Sequence, residues 1–339
     1  MPRILFASCG SAGHIAPCVA VWRSVQKAKP DATALFVCST RKEDGEFLEK
    51  EGLKFSAFSE RSIPAWKILF LIPRAWSLLK HEKPSVIFTK GGGVTLPIAL
   101  AGWMKGVPVV VHESDSVPGR ATKLISRFAK ISIDGFRTGN PLRPGITDGS
   151  RKRGLEITGL SGSRPVLLVT GGSQGAQIFN DVIARHIDEL LGSVDIIHIT
   201  GKGKSGVEGQ KSGYWKTEFV HEDLAHIYAA ADMALSRAGS GNIGELAANG
   251  IPAILVPIKG LAQDHQVKNA EAAEASGGCV VLDQQTLDQI LVSTVRRLAE
   301  DPALRLAMKD KIRSLNKPQS AQNVTKILLA VCAEGGGMS

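Results

Sequence analysis

Two stretches of this chain repeat one pattern, and that pattern restricts the fold more than any other feature. "RILFAS" at 3–8 runs into "CGSAGH", and "RPVLLVT" at 164–170 runs into "GGSQGA". Each is a short, uninterrupted apolar run, then a loop almost without side chains, then a helix-like stretch. A run that is apolar on both faces fits a strand covered on both sides, and strands alternating with helices imply a parallel sheet. Further strands are expected at 32–39, 85–90 and 107–113, with helices over His14–Lys27, Lys42–Glu51, Pro97–Lys105 and Ala121–Lys130 between them. The series restarts at 164 and continues with strands at 194–200, 217–220, 233–237, 252–258 and 278–283. The stretch "GITDGSRKRGLEITGLSGS" (145–163) is rich in Gly, Ser and charge and reads as the linker and its surroundings. The chain therefore reads as two α/β domains in tandem, each opening with a strand and a glycine loop. Ligands of such sheets bind beyond the carboxyl ends of the strands, so two domains facing each other would form a cleft there.

The chain is long enough, at 339 residues, for two such domains. No apolar run reaches the ~18 residues that span a bilayer, and the N-terminal residues pass directly into a strand with no signal-peptide pattern. The five cysteines show no paired spacing, which suits a reducing compartment. Charge is uneven. Residues 1–143 carry 21 Lys and Arg against 11 Asp and Glu, whereas the remainder carries 20 against 21. A basic front half calls for an anionic partner: nucleic acid, a membrane surface or a phosphorylated substrate.

Three glycine loops end strands: "GSAGH" (10–14), "KGGGVTLP" (90–97) and "GGSQGA" (171–176). Bare backbone lets a ligand approach closely, and a following helix aims free N–H groups at it. Tight turns alone would also use glycine, but three such loops at strand ends favour phosphate or sugar binding. The Walker A pattern is absent. The dinucleotide pattern occurs once, as "GKGKSG" (201–206), without a convincing helix behind it, and reads as a chance match. There is no D-x-D triplet for a metal-bound nucleotide and no His/Cys cluster with zinc spacing.

"SRAGSGNIGELAANGIPAILVPI" (236–258) is the most specific stretch. It places Glu245 in the early turns of a helix, where a carboxylate can accept from a ribose diol or simply oppose the helix dipole. "GLAQDHQVKNA" (260–270) adds Asp264, His265, Gln266 and Asn269 after a strand, side chains suited to sugar hydroxyls.

In order, "GSAGHIAP", "TKGGGVTLP", "VVVHESDSVPG", "GNPLR", "GGSQGA", "RAGSGNIGELAANGIPAILVP" and "QDHQVKNA" closely resemble the MurG family of peptidoglycan glycosyltransferases over nearly the whole chain. The resemblance implies the α/β GT-B fold of two Rossmann-like domains, 1–143 plus 319–339 and 150–318, with a C-terminal helix that returns to the first domain. It implies an inverting enzyme that moves N-acetylglucosamine from UDP-N-acetylglucosamine to the C4 hydroxyl of a lipid-linked muramyl pentapeptide, with no further cofactor or metal. Glu245 then binds ribose, Ser173 and Gln174 of the third loop and Arg143 meet the nucleotide's phosphates, and the backbone of Val220 reads the uracil. Gln266 contacts the sugar, with Asp264 and His265 on the same turn. Gly92 of the second loop and Asp115, where many members carry asparagine, line the substrate side. Gly10, Ser11, Ala12 and Gly13 face the acceptor's pyrophosphate, and Ala12 stands where the family usually has glycine. An alcohol needs a base as it attacks. His14 is the candidate, because imidazole titrates near neutrality, or else it hydrogen-bonds the phosphates.

The segment 63–84 interleaves Trp66, Leu69, Phe70, Trp76 and Leu79 with Lys67, Arg74 and Lys80, around a Pro73 expected to kink or split a helix. It reads either as an ordinary helix on the sheet or as an in-plane contact with anionic lipid. With a lipid acceptor the second reading places the protein peripherally on the cytoplasmic face of the cell membrane, with no nucleic-acid partner. Other readings keep the architecture: a transferase with another lipid or polysaccharide acceptor, a UDP-sugar epimerase, for which the carboxylate cluster is missing, or a non-catalytic UDP-sugar-binding subunit. A nicotinamide oxidoreductase is disfavoured by the poor fingerprint.

Overall fold

The apolar runs become the strands of two six-stranded parallel sheets in a computed structural model that describes residues 1–8, 12–60, 65–172, 174–260 and 262–335. The first sheet holds β1 (Arg3–Ala7), β2 (Thr33–Ser39), β3 (Phe55–Ser59), β4 (Val86–Thr89), β5 (Val109–Glu113) and β6 (Ile131–Asp134). The second holds β7 (Val166–Thr170), β8 (Asp195–Ile199), β9 (Tyr214–Thr217), β10 (Met233–Ser236), β11 (Ala253–Leu255) and β12 (Cys279–Val281). The orders are β3-β2-β1-β4-β5-β6 and β12-β11-β10-β7-β8-β9. Both sheets thus build outward for three strands and return to the other side of the first strand. The reversal falls between β1 and β4 in one sheet and between β7 and β10 in the other. The chain divides into two compact units, Met1–Pro144 with Pro318–Ser339, and Gly145–Lys317.

Strand alternation explains the first unit's two cores. Ile4 and Phe6 point to one face of the sheet, where Phe6 stacks on Phe36 with ring centroids 4.8 Å apart. That face is covered by the Ala12–Ala28 helix and by the C-terminal helix Ser320–Gly335, which adds Val324, Leu328, Val331 and Cys332. Leu5 and Ala7 point to the other face, covered by helices Ala65–Glu82 and Thr95–Met104. The second unit buries a comparable cluster built on Leu167, Val169, Phe179, Ile196 and Ile254.

Several local expectations are corrected. Within 145–163 lies a helix, Arg151–Thr158, rather than only linker. Its Ser150 side chain caps the first turn and Gly159 ends it in the left-handed conformation. The strand expected at 217–220 runs instead over Tyr214–Thr217, where Tyr214 and Trp215 pair with Ile196 and Ile197. Val220 consequently lies in the loop that follows. The helix expected over Ala121–Lys130 is shorter, Arg120–Ile125. Pro73 does not split its helix, which runs unbroken over Ala65–Glu82. Proline frees the carbonyl four residues earlier, and that residue is the exposed Leu69, whose carbonyl solvent can satisfy. Leu79, read as part of the apolar stripe, is buried in the core. No helix follows "GKGKSG" before Tyr214, as a chance match requires.

Gly154 shows why the 145–163 composition misleads. A Cβ there would lie 2.1 Å from the carbonyl oxygen of His226, so the glycine lets two helices touch at backbone distance. Helix propensity alone favours alanine over glycine by about 1 kcal/mol. Contact with a rigid carbonyl outweighs it, since overpacking costs roughly 1–3 kcal/mol. Gly154→Ala is therefore expected to lower the denaturant midpoint, while Arg153→Ala leaves it nearly unchanged; a raised midpoint for Gly154→Ala would refute this packing.

Candidate active site

In the second unit, the carboxyl ends of β7 and β10 lie side by side, with Thr170 paired to Ser236. From β7 comes Gly172, with φ +76°, a conformation that side chains resist. A Cβ there would come within 3.0 Å of the Asn242 amide nitrogen. From β10 comes the loop "RAGSG" and then the helix Ser240–Asn249. Asn242 ties this turn together, donating to Ser236 Oγ at 3.2 Å and to the Arg237 carbonyl at 3.4 Å. Asn269 fixes the same loop from the next helix through the Ala238 carbonyl, at 3.2 Å.

Arg237 is buried, 8% exposed. Its Nη1 donates to the Val256 carbonyl at 3.0 Å, and its guanidinium lies 4.8 Å from the centre of the Phe179 ring. Burial pulls its pKa down to about 10, so it stays charged at neutral pH. Its Nε is buried with no hydrogen-bond partner among the described residues. A bare backbone, a helix N-terminus and a buried cation at one strand edge form an anion cradle.

Glu245 lies one turn further along the helix and is half-buried. Tyr228 Oη donates to its Oε2 at 2.7 Å. That bond fixes one carboxylate oxygen and orients the other. Gln266 accepts from the Ile258 N–H at 3.2 Å through Oε1, so it presents amide donors to a ligand. Asp264 accepts from the Gly260 N–H at 2.6 Å. Gln263 and Asp264 both have positive φ, 65° and 56°, a conformation that costs a side chain roughly 1–2 kcal/mol, so the turn before His265 is held strained. Gln174 is exposed beside Gly175, and Val220 lies after β9.

In the first unit, Ala12 opens the helix after β1, with Gly13 exposed and His14 half-buried in its first turn. Gly91 and Gly92 follow β4 with φ +77° and +99°. The Gly92 carbonyl accepts from the Thr95 N–H and hydroxyl, which starts the next helix. Asp115 follows β5 in a loop organised by Glu113, whose carboxylate accepts from the N–H groups of Ser114, Asp115 and Gly119 at 2.9–3.1 Å. Arg143 is half-buried with its guanidinium 5.2 Å from the centre of the Phe47 ring, and its Nε has no hydrogen-bond partner among the described residues. In the first unit His14, Gly92 and Asp115 thus follow the carboxyl ends of the adjacent strands β1, β4 and β5. The second gathers Gly172, Glu245, Asp264, His265 and Gln266. Gly10, Ser11 and Ser173 lie outside the described residues.

Several residues of these sites carry little sequence signal. Tyr228 is seventeen positions from Glu245, and no spacing rule links them. Asn242 and Arg237 sit inside a stretch read for its glycines and its glutamate. Lys90 reads as the last residue of the strand expected at 85–90 and the residue before three glycines, and it is 3% exposed. Its Nζ donates to His112 Nδ1 at 3.1 Å, to Asn140 Oδ1 at 2.8 Å and to Ser114 Oγ. His112 Nε2 lies 3.3 Å from the Gly139 carbonyl, so the proton sits on Nε2 and Nδ1 accepts from the lysine. Burial first, then Lys90, hold the His112 pKa well below 6.5, which keeps the ring neutral.

Paired Rossmann-type units, each binding at the edge of a six-stranded parallel sheet, are the architecture of GT-B glycosyltransferases. The glycosyltransferase family 28 N-terminal domain matches residues 4–132, and the family 28 C-terminal domain matches residues 166–324. A Shouchella clausii protein is 34% identical over 313 residues, covering 85% of this chain and 88% of that protein. It is named UDP-N-acetylglucosamine–N-acetylmuramyl-(pentapeptide) pyrophosphoryl-undecaprenol N-acetylglucosamine transferase. The crystal structure of Acinetobacter baumannii MurG matches with a TM-score of 0.74 at 21% identity, covering 97% of this chain and all of that one. Neisseria meningitidis UDP-N-acetylglucosamine 2-epimerase, bound to UDP-N-acetylglucosamine, shares the fold with a TM-score of 0.65 at 14% identity, over 97% of this chain and all of that one. This chain belongs to glycosyltransferase family 28 and, within it, to the MurG family of N-acetylglucosamine transferases.

If Glu245 is the ribose ligand, Tyr228 sets its geometry. A hydrogen bond to a charged group contributes about 1.5–3 kcal/mol. Tyr228→Phe is expected to weaken UDP binding roughly tenfold or more by titration calorimetry, with little change in melting temperature. Unchanged affinity would mean that the orientation of Glu245 does not matter to the nucleotide.

Proposed function

We propose that this protein transfers N-acetylglucosamine from UDP-N-acetylglucosamine to the C4 hydroxyl of an undecaprenyl-pyrophosphoryl-N-acetylmuramyl pentapeptide. The observation that carries this reading is the alignment of a transferase of that name across both units at 34% identity. The rival epimerase reading shares the fold, with the Neisseria meningitidis epimerase 14% identical to this chain.

The donor is assigned to the second unit. Glu245, oriented by Tyr228, accepts from the ribose hydroxyls. The cradle of Gly172, Arg237 and the Ser240–Asn249 helix N-terminus, with Ser173 and Gln174, receives the diphosphate. Val220 reads the uracil through its backbone, and Gln266 donates to sugar hydroxyls beside Asp264 and His265. The first unit takes the acceptor. The loop Gly10–Gly13 and Gly92 are assigned to its diphosphate, and Asp115 to a sugar hydroxyl. His14 takes the proton from the C4 hydroxyl as that oxygen attacks C1 from the face opposite UDP, so the α-linked donor yields a β-linked product. The leaving diphosphate gains charge, which Arg143, Arg237 and backbone N–H groups offset without reorganising. No cofactor beyond the donor is assigned.

The reading is tested by UDP release with and without the lipid-linked muramyl acceptor; release that does not depend on the acceptor would refute it. A positioned general base is worth about 10²–10⁴-fold. His14→Ala is accordingly expected to lower kcat at least a hundredfold while UDP-N-acetylglucosamine still binds, and wild-type turnover would remove the base role.

Among the described residues no helix is long and apolar enough to cross a membrane. We assign the protein to the cytoplasmic membrane face as a peripheral enzyme, docking through the described part of 63–84. Trp66 and Phe70 are 63% and 74% exposed and meet edge-on, with Leu69 exposed beside them. Lys67 lies over the Trp66 ring, and Lys105 lies 4.3 Å from the centre of the Trp76 ring. Trp103 and Met104, at the end of the adjoining Thr95–Met104 helix, are also exposed. Aromatic tips flanked by ammonium groups match an anionic lipid surface. Trp66→Ser with Trp76→Ser is expected to abolish sedimentation with anionic vesicles and leave neutral vesicles unaffected; unchanged sedimentation would refute the docking face.

A further inference from the structure

Lys90 and Arg237 hold the same position in the two units. Lys90 is the first residue after the fourth strand of the first sheet, where Thr89 pairs with Ala7. Arg237 is the first residue after the fourth strand of the second, where Ser236 pairs with Thr170. Each is buried at the point where its strand order reverses, which is where open α/β sheets place ligands. Arg237 stands beside the cradle assigned to the donor diphosphate. Lys90 stands at the matching edge of the first unit, on which the notion of an acceptor site rests.

The surroundings of Lys90 are unusual for a buried cation. Its hydrogen-bond partners among the described residues are all neutral: His112, Ser114 and Asn140. Removing an ammonium group from water costs several kcal/mol, and such a charge is normally paired. The charged and titratable groups facing it are Cys18 from the Ala12–Ala28 helix, His112 on β5, and Glu113 and Asp115 at the β5 end. His112 is held neutral. The Glu113 carboxylate is already engaged by three backbone N–H groups. The Lys90 ammonium is thus the one positive charge among these facing groups, beside the Glu113 and Asp115 carboxylates, in low dielectric where charges are weakly screened. Cys18 lies one helical turn beyond His14, so the helix face that meets Lys90 also carries the candidate base.

We propose that Lys90 is the positioning cation of the acceptor side: its ammonium clamps the loops that leave β4, β5 and β6 and holds a positive charge toward the acceptor's diphosphate. This rests on the acceptor reading given above. A hydrogen-bonded but uncharged hub would clamp the loops equally well, so the charge itself is what the experiment must detect. Burial lowers the Lys90 pKa to about 8, partly opposed by Cys18, Glu113 and Asp115. The charge is present below that pH and is lost above it.

The experiment is steady-state transfer from UDP-N-acetylglucosamine to a short-chain lipid-linked muramyl pentapeptide between pH 6 and 9.5, with KM measured for each substrate. The wild-type acceptor KM rises about tenfold per pH unit above about 8, while the donor KM stays flat. Asn140→Asp places a carboxylate against Nζ, and an opposite charge in contact favours the charged form by one to three pH units. Its acceptor-KM limb therefore moves at least one pH unit higher. Lys90→Met raises the acceptor KM at least tenfold at pH 7, removes the limb and leaves donor affinity intact by calorimetry. A limb that stays in place in Asn140→Asp overturns the proposal, as does a Lys90→Met variant that loses donor and acceptor binding equally. If Lys90→Met does not fold, the Asn140→Asp shift alone decides. Acceptor-independent UDP release in the wild type overturns the acceptor reading and this role with it; acceptor-dependent release with an unmoved limb overturns the role of Lys90 alone.

Discussion

Parallel pairing is the constraint from which the rest of this molecule follows. When every strand of a sheet runs the same way, all its carboxyl ends meet one edge, and every connection must cross a face as a helix or long loop. The single reversal of strand order in each sheet sends neighbouring connections to opposite faces and leaves a crevice between them. At β1 and β4, and again at β7 and β10, the chain fills that crevice edge with glycine, helix N-termini and one buried cation. These features are therefore local to a few positions after two strand pairs, although those positions are distant in sequence.

Each unit solves the same electrostatic problem differently. Arg237 keeps its charge against the Phe179 ring and the Val256 carbonyl, a flat cation on a flat face. Lys90 is a compact charge surrounded by three neutral acceptors. Guanidinium is the more weakly hydrated ion and hardly titrates; an ammonium shifts readily when buried. The second unit thus has a buried cation whose pKa is lowered only to about 10, and the first unit has one lowered to about 8.

The strands, the two-unit plan and most helices were legible because continuous apolar runs and glycine punctuation are one-dimensional signals. Glu245, Gln266 and His14 were legible through the motifs around them. What was not legible depends on three-dimensional approach. Gly149 and Gly154 look like linker composition until a neighbouring carbonyl explains why no Cβ fits. Tyr228 reaches Glu245 from another helix. The expected strand at 217–220 is displaced because pairing with Ile196 and Ile197 begins at Tyr214, before the run of apolar letters. Lys90 reads only as a strand end before a glycine loop, with nothing to show its partners. Only Asn140, fifty residues on, and the β5 end reveal that it is buried.

The C-terminal helix Ser320–Gly335 completes the core begun by β1, supplying Val324, Leu328 and Val331 more than three hundred positions after Ile4 and Phe6. In effect the second unit is an insertion within the first. During synthesis from the N-terminus, the first unit must wait with part of one face of its sheet uncovered until the whole of Gly145–Lys317 and the Ser320–Gly335 helix have emerged. The second unit, contiguous in sequence, carries no such delay. The order in which the two halves become competent is therefore the reverse of the order in which they are translated.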